Sequence, residues 1–567
     1  MNALSKNEII KAGSHALRGG ISEGLLRPET GSIADDDTQL TKFHGIYMQD
    51  DRDLRAERGR KRMEPAYTFM ARLRIPGGRV TPAQWLALHE IARERANGTI
   101  RLTTRETIQF HGILKGNLRP AIAAVNDALL DTIAACGDVN RNVICTVNPH
   151  MGPPHQAALD LAHALSDGLL PRTRAWHEIW LGEEKVAGGP EEEPMYGPTY
   201  LPRKFKIAIA VPPENDVDVF AHDLGFIAHV RHGATIGYDV TVGGGMGMTH
   251  GDVETFPRTA DLLGFCTPDQ AIDVARAVLM AQRDHGNRAM RKNARLKYTI
   301  ERMGLPAFQA AIEQHLGWTL PPPRGGRFTG TGDHLGWYDG TDGTTQFGLF
   351  VENGRIADKG PRRLLSGLHA IARVHRGTFI ITANQNLVVA GVQDRPAITA
   401  LLAEYGLAEA ASPLRQAAMA CVALPTCGLA LAESERYLPS LVTALEAIMQ
   451  QAGLAQDAIV VRMTGCPNGC ARPYLAEIGL VGRGPGRYNL YLGAAADGTR
   501  LNKLYRRDLD HEGIIAILAP LLHAYAVDRE PEEHFGDWVI RAGLIQATTA
   551  GNRFHLDLEL EVSTDGR

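Results

Sequence analysis

The sequence has few cysteines, no excess of one charge and no long apolar run, and each shortage excludes a class of protein. Seven cysteines in 567 residues are too few for a disulfide scaffold. The net charge of −4 lacks the basic excess of nucleic-acid-binding proteins. Apolar runs stay short of the roughly 18–20 residues that a membrane-spanning helix needs. With 44% hydrophobic and 22% charged residues, the composition indicates a globular protein of about two to four domains.

Targeting and nucleotide-binding signals are also missing. The N-terminus, MNALSKNEIIKAG, has neither an apolar signal core nor an Arg-rich transit pattern, so we expect a cytoplasmic protein. The glycine run VGGGMGMTH has Met248 where a G-x-G-x-x-G fingerprint needs its last glycine. The sequence therefore predicts no nucleotide or flavin site of its own.

The chain repeats itself in a fixed order. TTRETIQFHGI (residues 103–113) aligns without gaps on TANQNLVVAGV (382–392), and YDVTVGGG (238–245) aligns on YNLYLGAA (488–495). The shared order favours a duplication over two unrelated strand–turn patterns, which are the alternative. Two related halves would leave a cleft between them, which is a natural place for a large ligand.

Helical and strand-like segments alternate along the chain. Apolar positions recur at helical spacing in WLALHEIARERA (85–96) and DVARAVLMAQRDHG (273–286). KFKIAIAVP and TFIITANQNLVVAGV alternate or run apolar, as buried strands do. Strands interleaved with helices predict an α+β, or mixed α/β, fold.

Four of the seven cysteines lie within fifty residues, as two pairs. Cys421 and Cys427 form C-x5-C, and Cys466 and Cys470 form C-x3-C around the tripeptide PNG. A five-residue spacer fits zinc knuckles poorly, and a redox C-x-x-C is missing. Four thiolates from two loops suit an iron–sulfur cube, in which each iron takes one terminal thiolate. Zinc and buried structural cysteines remain as alternatives. The other cysteines, Cys136, Cys145 and Cys266, are expected to be buried small hydrophobic residues.

Basic residues recur in or beside strand-like motifs rather than in charge runs. They are Arg72, Arg101, Arg105, Arg141, Arg203, Lys204, Lys206 and Arg295. In PRKFK, alternation places Lys204 and Lys206 on the same face of a strand, so both are expected to point at one target. Taken alone, such an arginine is more often structural, and His111 in its apolar run is more often a satisfied core histidine.

Long motifs across nearly the whole chain resemble the sulfite and nitrite reductase family. They include FHGIYMQDDRDLRAER, LRIPGG, VNRNVICT, TYLPRKFKIAIAVPP, RKNARLKYT, CVALPTC and TGCPNGCARPYLAEIGLVGRG, in the family's order. The resemblance implies a pseudo-twofold, duplicated α+β fold with ferredoxin-like half-repeats and two larger α/β domains around a central cofactor cleft. It divides the chain into an N-terminal wrapping segment (1–68), a ferredoxin-like half (69–134), a sirohaem- and substrate-binding domain (135–335), a second half (336–408) and an iron–sulfur and sirohaem-binding domain (409–567).

The resemblance also implies one sirohaem and one 4Fe–4S cluster per chain. Cys421, Cys427, Cys466 and Cys470 match the cluster ligands, and Cys470 matches the thiolate that also ligates the sirohaem iron. Arg72, Arg141, Lys204 and Lys206 match the catalytic, anion-binding residues. Arg101, Arg105, Gln109, His111, Arg203, Arg295, Gln385 and Asn468 match cofactor-binding positions. Arg295 stands where the family pattern has lysine, and Ala471 and Pro473 replace its usual glycine and alanine.

The activity that the resemblance implies is the six-electron reduction of sulfite to sulfide, in sulfate assimilation and cysteine biosynthesis. Nitrite reduction to ammonia on the same cofactors is the alternative, and a non-catalytic iron–sulfur or zinc protein is a distant one. Because sirohaem and sulfite are anionic, their pocket needs cations. We assign Arg72 and Arg141 to clamping sulfite, and Lys204 and Lys206 to clamping and proton delivery. Electrons must come from a partner, either an NADPH-dependent flavoprotein subunit or, as the alternative, a ferredoxin.

Overall fold

Helices and strands alternate along the chain, as the sequence predicts. The computed structural model describes residues 3–172, 179–181, 184–187 and 193–556; the other positions of the predicted domains 1–68, 135–335 and 409–567 lie outside the described residues. The helices are α1 (Lys6–Ala12), α2 (Ile21–Leu25), α3 (Asp37–Leu40), α4 (Arg55–Arg60), α5 (Pro82–Arg95), α6 (Lys115–Asp127), α7 (Pro153–Gly168), α8 (Ala271–His285), α9 (Leu296–Met303), α10 (Leu305–Leu316), α11 (Leu364–Val374), α12 (Arg395–Glu404), α13 (Pro413–Gln416), α14 (Leu438–Gln451), α15 (His511–Asp528) and α16 (Phe535–Arg541). The strands are β1 (Ile46–Asp50), β2 (Tyr67–Arg72), β3 (Arg79–Val80), β4 (Ile100–Leu102), β5 (Ile108–Ile113), β6 (Ile144–Cys145), β7 (Ile179–Leu181), β8 (Glu184–Ala187), β9 (Ile207–Ala210), β10 (Leu224–Arg231), β11 (Ala234–Val242), β12 (Asp261–Cys266), β13 (Gly336–Asp339), β14 (Thr345–Leu349), β15 (Arg355–Ile356), β16 (Asp358–Lys359), β17 (Arg362–Arg363), β18 (Thr378–Ile381), β19 (Leu387–Val392), β20 (Ala418–Ala420), β21 (Val461–Thr464), β22 (Ile478–Gly484), β23 (Arg487–Leu492) and β24 (Lys503–Leu509).

Two antiparallel sheets carry the first repeated motif and exchange a strand. Their strand orders are β1-β2-β5-β4-β15 and β13-β14-β19-β18-β3. The last strand of each sheet comes from the other half of the chain, with Arg355 of β15 opposite Arg101, and Val80 of β3 opposite Phe379. The two sheets have equivalent strand orders, as the repeat predicts, and the exchanged strands hold them together.

The other two large sheets share one mixed topology. β6, β9 and β10 run parallel and are followed by antiparallel β11 and β12. In the same way, β20, β21 and β22 run parallel before antiparallel β23 and β24. Gly243 and Gly493 follow the equivalent strands β11 and β23 and have φ of 86° and 93°, a conformation that favours glycine. Both pairs of sheets thus confirm the duplication.

The turns between β4 and β5 and between β18 and β19 have the same conformation. In each five-residue turn (103–107 and 382–386), the N–H of the first residue donates to the carbonyl of the fifth, at 2.9 Å and 3.0 Å respectively. The fourth residue, Glu106 or Gln385, has a positive φ of 51° or 71°. The repeat therefore extends to strained backbone positions that the side chains do not reveal.

Helices α5 and α11 pack against each other between the two antiparallel sheets. Pro82 and a capping box of Thr81 and Gln84 start α5. The apolar faces of both helices join both sheets in one core, which includes Trp85 and Phe379. One separate core lies under α7 and α8 on the sheet of strands β6 and β9–β12, and another lies under α14 and α15 on the β20–β24 sheet. The five predicted domain ranges stay a prediction. Of the helices in the described ranges, none combines the length and apolar content needed to cross a membrane.

Candidate cofactor and anion site

The four clustered cysteines lie at one edge of the β20–β24 sheet. Cys421 directly follows β20, and Cys466 comes two residues after β21. Because β20 and β21 are parallel neighbours, their carboxyl ends meet at the same edge. Cys427 and Cys470 lie farther along the same two loops. Cys466 is buried, Cys421 and Cys427 are half-buried, and Cys470 is exposed.

The cysteine thiols interact with one another and with N–H donors. Burial, followed by the charges of the other thiols, raises the pKa of Cys421, and the same causes raise that of Cys466 to about 12. The Gly465 N–H donates to Cys421 Sγ at 3.4 Å, and Asn468 Nδ2 donates to Cys466 Sγ at 3.6 Å. N–H···S contacts stabilise the thiolate, and a bound metal centre deprotonates a thiol outright.

The four cysteines do not form a site for a single metal ion among the described residues. Among the residues that the structure describes, no three His, Cys, Asp or Glu side chains converge closely enough to bind one metal ion. Tetrahedral zinc needs each sulfur about 2.3 Å from the metal. A cube instead takes one thiolate at each of its four separate irons. Four soft donors on two loops, of which the Cys421 and Cys466 sulfurs accept N–H groups, therefore fit a 4Fe–4S cluster.

The C-x3-C loop is tight because another backbone packs closely on it. Gly469 has φ +64°, and a Cβ atom there would lie 3.0 Å from the Met246 carbonyl oxygen. A Cβ atom on Gly247 would likewise lie 3.1 Å from the Asn468 carbonyl oxygen. The glycine run that fails as a nucleotide fingerprint thus lets its own segment approach the cysteine loop.

Cys470 lies in the same cleft as four of the eight predicted basic residues. Of the predicted site residues, Arg105, Lys204, Lys206, Arg295 and Asn468 also line this cleft, together with Thr104, His222 and Arg472, which were not predicted. Lys204 and Lys206 flank Phe205, which forms a parallel bridge with Asn140 just before β9. Both lysines line one cleft, although regular strand β9 begins only at Ile207; a common target stays a prediction.

The two cleft lysines form no ion pair with any described residue. Neither Lys204 nor Lys206 has a hydrogen-bond or ion-pair partner within the described residues. Burial and then Arg203 hold the pKa of Lys204 well below its ordinary value, and burial and then Lys204 do the same for Lys206. Arg295, in contrast, is paired with Asp223 at 2.8 Å. An anion in the cleft would supply the missing charge and raise the lysine pKa values.

Arg72 and Arg141 lie together around Tyr47 and Cys136. Arg72 Nη1 donates to Cys136 Sγ at 3.2 Å, and Arg141 contacts the Tyr47 hydroxyl. Burial and then Cys136 raise the pKa of Tyr47 to about 12. Cys145 and Cys266 are buried small residues, as expected. Cys136 is also buried, but it is part of this polar group.

Gln109 and His111 form a hydrogen-bonded chain behind Arg72. The Gln109 amide oxygen accepts from Arg72 Nε at 3.1 Å, and the other end of the amide lies 3.3 Å from His111 Nε2. His111 Nδ1 donates to Gln49 Oε1 at 3.2 Å. Burial and then Arg355 hold the pKa of His111 well below its ordinary value. Both residues orient Arg72, and a direct cofactor contact for them stays a prediction.

Arg101 and Gln385 hold the strand that leads to Cys421. Both donate to the Ala420 carbonyl oxygen, at 2.8 Å and 3.0 Å. Arg101 also lies 3.3 Å from the Glu435 carboxylate, and the Glu435 N–H donates to the Cys421 carbonyl at 3.0 Å. Their predicted contact with the rim of sirohaem stays a prediction.

Arg105 reaches the cleft from the first repeat turn. Its guanidinium contacts His222 Nδ1 at 3.2 Å and donates to the Ile207 carbonyl at 2.9 Å. His222 Nε2 donates to the Val217 carbonyl at 2.9 Å, which leaves Nδ1 as the acceptor. Burial lowers the pKa of Arg105 to about 9, and its buried Nε has no partner among the described residues. An unsatisfied N–H in a cationic cleft fits an anionic cofactor edge.

Arg472 is an important residue that the sequence analysis missed. It is buried, has a left-handed backbone with φ of 54°, and pairs with the carboxylate of Asp218. It also donates to the Thr104 carbonyl at 3.2 Å and to the Ala383 carbonyl at 3.0 Å. Arg472 thus ties the Cys470 loop to both repeat turns. Its signal in the sequence is an arginine within the motif CARP, two residues after Cys470 and outside any charge run.

The chain matches known proteins in both sequence and fold. Residues 163–320 match the nitrite and sulphite reductase 4Fe-4S domain, and residues 61–128 and 338–405 match the nitrite/sulfite reductase ferredoxin-like half domain. The sulfite reductase (NADPH) hemoprotein beta-component of Chromohalobacter salexigens is 58% identical, over 97% of this chain and 97% of that protein. Its counterpart from Methylobacterium sp. strain 4-46 is 60% identical, over 98% and 93%. The solved structure of the Mycobacterium tuberculosis NirA protein has a TM-score of 0.77 at 26% identity, covering 95% and 96%.

The chain therefore belongs to the nitrite and sulfite reductase family. Membership confirms the predicted duplicated α+β fold with ferredoxin-like halves. The segment matched by the 4Fe-4S domain contains the β9–β12 strands. The cysteines lie on the structurally equivalent sheet, β20–β24.

Proposed function

We propose that this chain is the haemoprotein subunit of an assimilatory sulfite reductase and reduces sulfite to sulfide with six electrons. The observation that carries this proposal is that Cys470 and the unpaired Lys204 and Lys206 line one cleft. Sirohaem and a 4Fe–4S cluster, when bound, supply the electron transfer that the protein's side chains cannot. The nitrite and sulfite reductase relatives support the same pair of cofactors.

Four cysteines and three arginines, two of which line the cleft, are the residues that would hold the two cofactors. Cys421, Cys427, Cys466 and Cys470 would bind the cluster. Cys470 would also bind the sirohaem iron, which fits its exposure to the cleft, in contrast to buried Cys466. Arg105, Arg203 and Arg295 carry positive charge for the carboxylates of sirohaem. Each charge-assisted hydrogen bond of this kind contributes about 1.5–3 kcal/mol.

The basic residues would bind sulfite and deliver protons. Arg72 and Arg141 would clamp its oxygens, because guanidinium groups match oxyanions in fork geometry. Lys204 and Lys206 would supply protons as oxygens leave as water. Their lowered pKa values suit them to this role, because a proton donor works best when its pKa lies near the operating pH.

We propose that an NADPH-dependent flavoprotein subunit donates the electrons. We also propose that the enzyme is cytoplasmic. The beta-component names of the relatives support a second component in an NADPH enzyme. Within this chain, the glycine run at 243–247 packs against the cysteine loop. NADPH-dependent turnover on adding the flavoprotein would support this donor, whereas turnover only with reduced ferredoxin would contradict it.

The substrate assignment is tested by comparing sulfite with nitrite. With reduced methyl viologen as an artificial donor, we expect kcat/KM for sulfite to exceed that for nitrite. A ratio in favour of nitrite would instead make the chain an assimilatory nitrite reductase.

A further inference from the structure

The N-terminal helix α1 places a buried lysine beside the segment that carries the cleft lysines. Lys11 is 3% exposed and Glu8 is 2% exposed. Lys11 Nζ lies 2.5 Å from Glu8 Oε1 and donates to the Leu201 carbonyl oxygen at 2.8 Å. Leu201 precedes Lys204 by three residues, so α1 contacts the chain directly before the lysines.

The same segment is held from two further directions. Arg288, paired with Glu8 at 2.6 Å, donates to the Tyr200 carbonyl at 2.7 Å. Arg291 pairs with Asp138 at 2.7 Å, and the Leu201 N–H donates to the Asp138 carbonyl at 3.0 Å. Lys11 joins these two ion pairs, because its Nζ pairs with Glu8 and also lies 3.6 Å from the Asp138 carboxylate.

Asp138 connects this buried network to the basic residues of the site. Its carboxylate interacts electrostatically with Arg141 and Arg203. Although burial alone would raise the pKa of Asp138, Arg291 and then Lys11 bring it down to about 2. If Lys11 lost its charge, more of the Asp138 charge would act on the two arginines and reduce their attraction for an anion.

We propose that Lys11 is a positioning residue for the anion site: it fixes residues 199–202 and offsets the charge of Asp138, so that Lys204 and the neighbouring arginines are preorganised for sulfite. This proposal rests on the proposed function for its substrate. It assigns a role in anion binding to a helix far from the cluster cysteines in the sequence.

The test uses Lys11→Met, the rescue variant Lys11→Arg, and Lys6→Met as the matched control. Lys6 belongs to the same helix, but its side chain is 76% exposed and pairs with Asp36 only at the surface. For each holoenzyme, kcat and KM for sulfite are measured per bound sirohaem, and sulfite affinity is measured from the visible spectrum. Hydrogen exchange of residues 199–206 is followed in the same holoenzymes.

In Lys11→Met we expect KM and the dissociation constant of sulfite to rise about fivefold or more, with kcat falling less than in Lys204→Met, because the proton donor is misplaced but still present. Amide exchange at 199–206 should be faster than in Lys6→Met, and Lys11→Arg should recover most of the affinity. Sulfite affinity and exchange equal to those of Lys6→Met would overturn the proposal.

Glu8→Gln provides a second test if Lys11→Met does not fold. This variant keeps the charge of Lys11 but removes the carboxylate charge that pairs with both Lys11 and Arg288. Weaker sulfite binding with full sirohaem content would support positioning, whereas unchanged binding would overturn it. Failure of the proposed function itself would be recognised separately, because wild type and Lys6→Met would then show no sulfite turnover.

Discussion

Arg472 and Asp218 form a buried ion pair that joins the cysteine loop to the loop between β9 and β10. Asp218 is fully buried, and Arg462 Nη1 binds the same carboxylate at 2.6 Å. Since Cys470 lies two residues before Arg472, this pair connects the loop that carries Cys470 to the half of the site that carries Lys204 and Lys206. The sheet that contains β9 and β10 and the β20–β24 sheet are thus joined by a buried ion pair as well as by apolar packing.

Removing this ion pair should loosen the whole site. We expect Arg472→Met to lower the free energy of unfolding by about 3 kcal/mol, because it leaves a buried carboxylate undercompensated. Sirohaem and cluster content should fall with it. The measurements are denaturant unfolding and the visible spectrum per protein. Arg483→Met is the control, because its pair with Asp508 spans 3.9 Å at the surface. Equal cofactor content in both variants would contradict this prediction.

The proton role of the cleft lysines has a kinetic signature. Lys204→Met and Lys206→Met should each lower kcat for sulfite by about tenfold or more, because a proton donor is lost from the cleft. Steady-state kinetics, normalised to sirohaem content, measures the effect. Lys292→Met is the control, because Lys292 is 41% exposed and pairs with Asp252. A raised KM with unchanged turnover would show that the lysines only bind the anion.

Anion binding should be linked to proton uptake. Burial and then the neighbouring cations depress the pKa values of Lys204 and Lys206, and a bound anion raises them. Binding therefore takes up protons, and affinity should fall as pH rises above the depressed pKa values. Calorimetry in buffers of different ionisation enthalpy measures the uptake, and nitrite as the ligand avoids sulfite's own titration near neutrality. Equal uptake by wild type and Lys204→Met would contradict a role for Lys204.

Glu435 should make stability depend on acid pH. Burial alone would raise its pKa, but Arg101 and then Arg355 outweigh burial and lower it to about 2. A depressed carboxyl pKa gives stability that is complete above the unfolded-state pKa of about 4 and is lost as pH falls toward 2. Glu435→Gln should cost about 3–5 kcal/mol near neutrality and flatten this acid dependence.

Unfolding free energies measured between pH 2 and 6 test this prediction, with Glu433→Gln as the control. Glu433 pairs with Arg436 nearer the surface, where an ion pair contributes little. The same pH dependence in wild type and Glu435→Gln would contradict it.

The sequence allowed prediction of features that depend on spacing and order. The two cysteine pairs predicted two loops that each carry two thiols, because close spacing reflects local loop geometry; their ligation of a cluster stays a prediction. The matches at 103–113 and 238–245 predicted the duplication, since strands keep their alternation after divergence. PRKFK predicted that Lys204 and Lys206 share a face, which depends only on extended backbone.

Other features depend on tertiary contacts and could not be read in this way. Arg472 adopts a left-handed backbone because Asp218 and two carbonyl groups hold it, and none of these is near it in the sequence. The glycine run before Met248 is required by the approach of another backbone rather than by a phosphate. Cys136 looks like any buried small residue until Arg72 is seen to donate to it.

The most direct test of the account is the iron and labile-sulfide content of the purified chain, together with its visible spectrum. If Cys470 joins a 4Fe–4S cluster to a sirohaem, iron should exceed labile sulfide by one atom per chain and a Soret band should be present. Cys470→Ala should lose the Soret band, whereas Cys266→Ala should keep it. Zinc in place of iron, or equal iron and sulfide without a Soret band, would contradict the account.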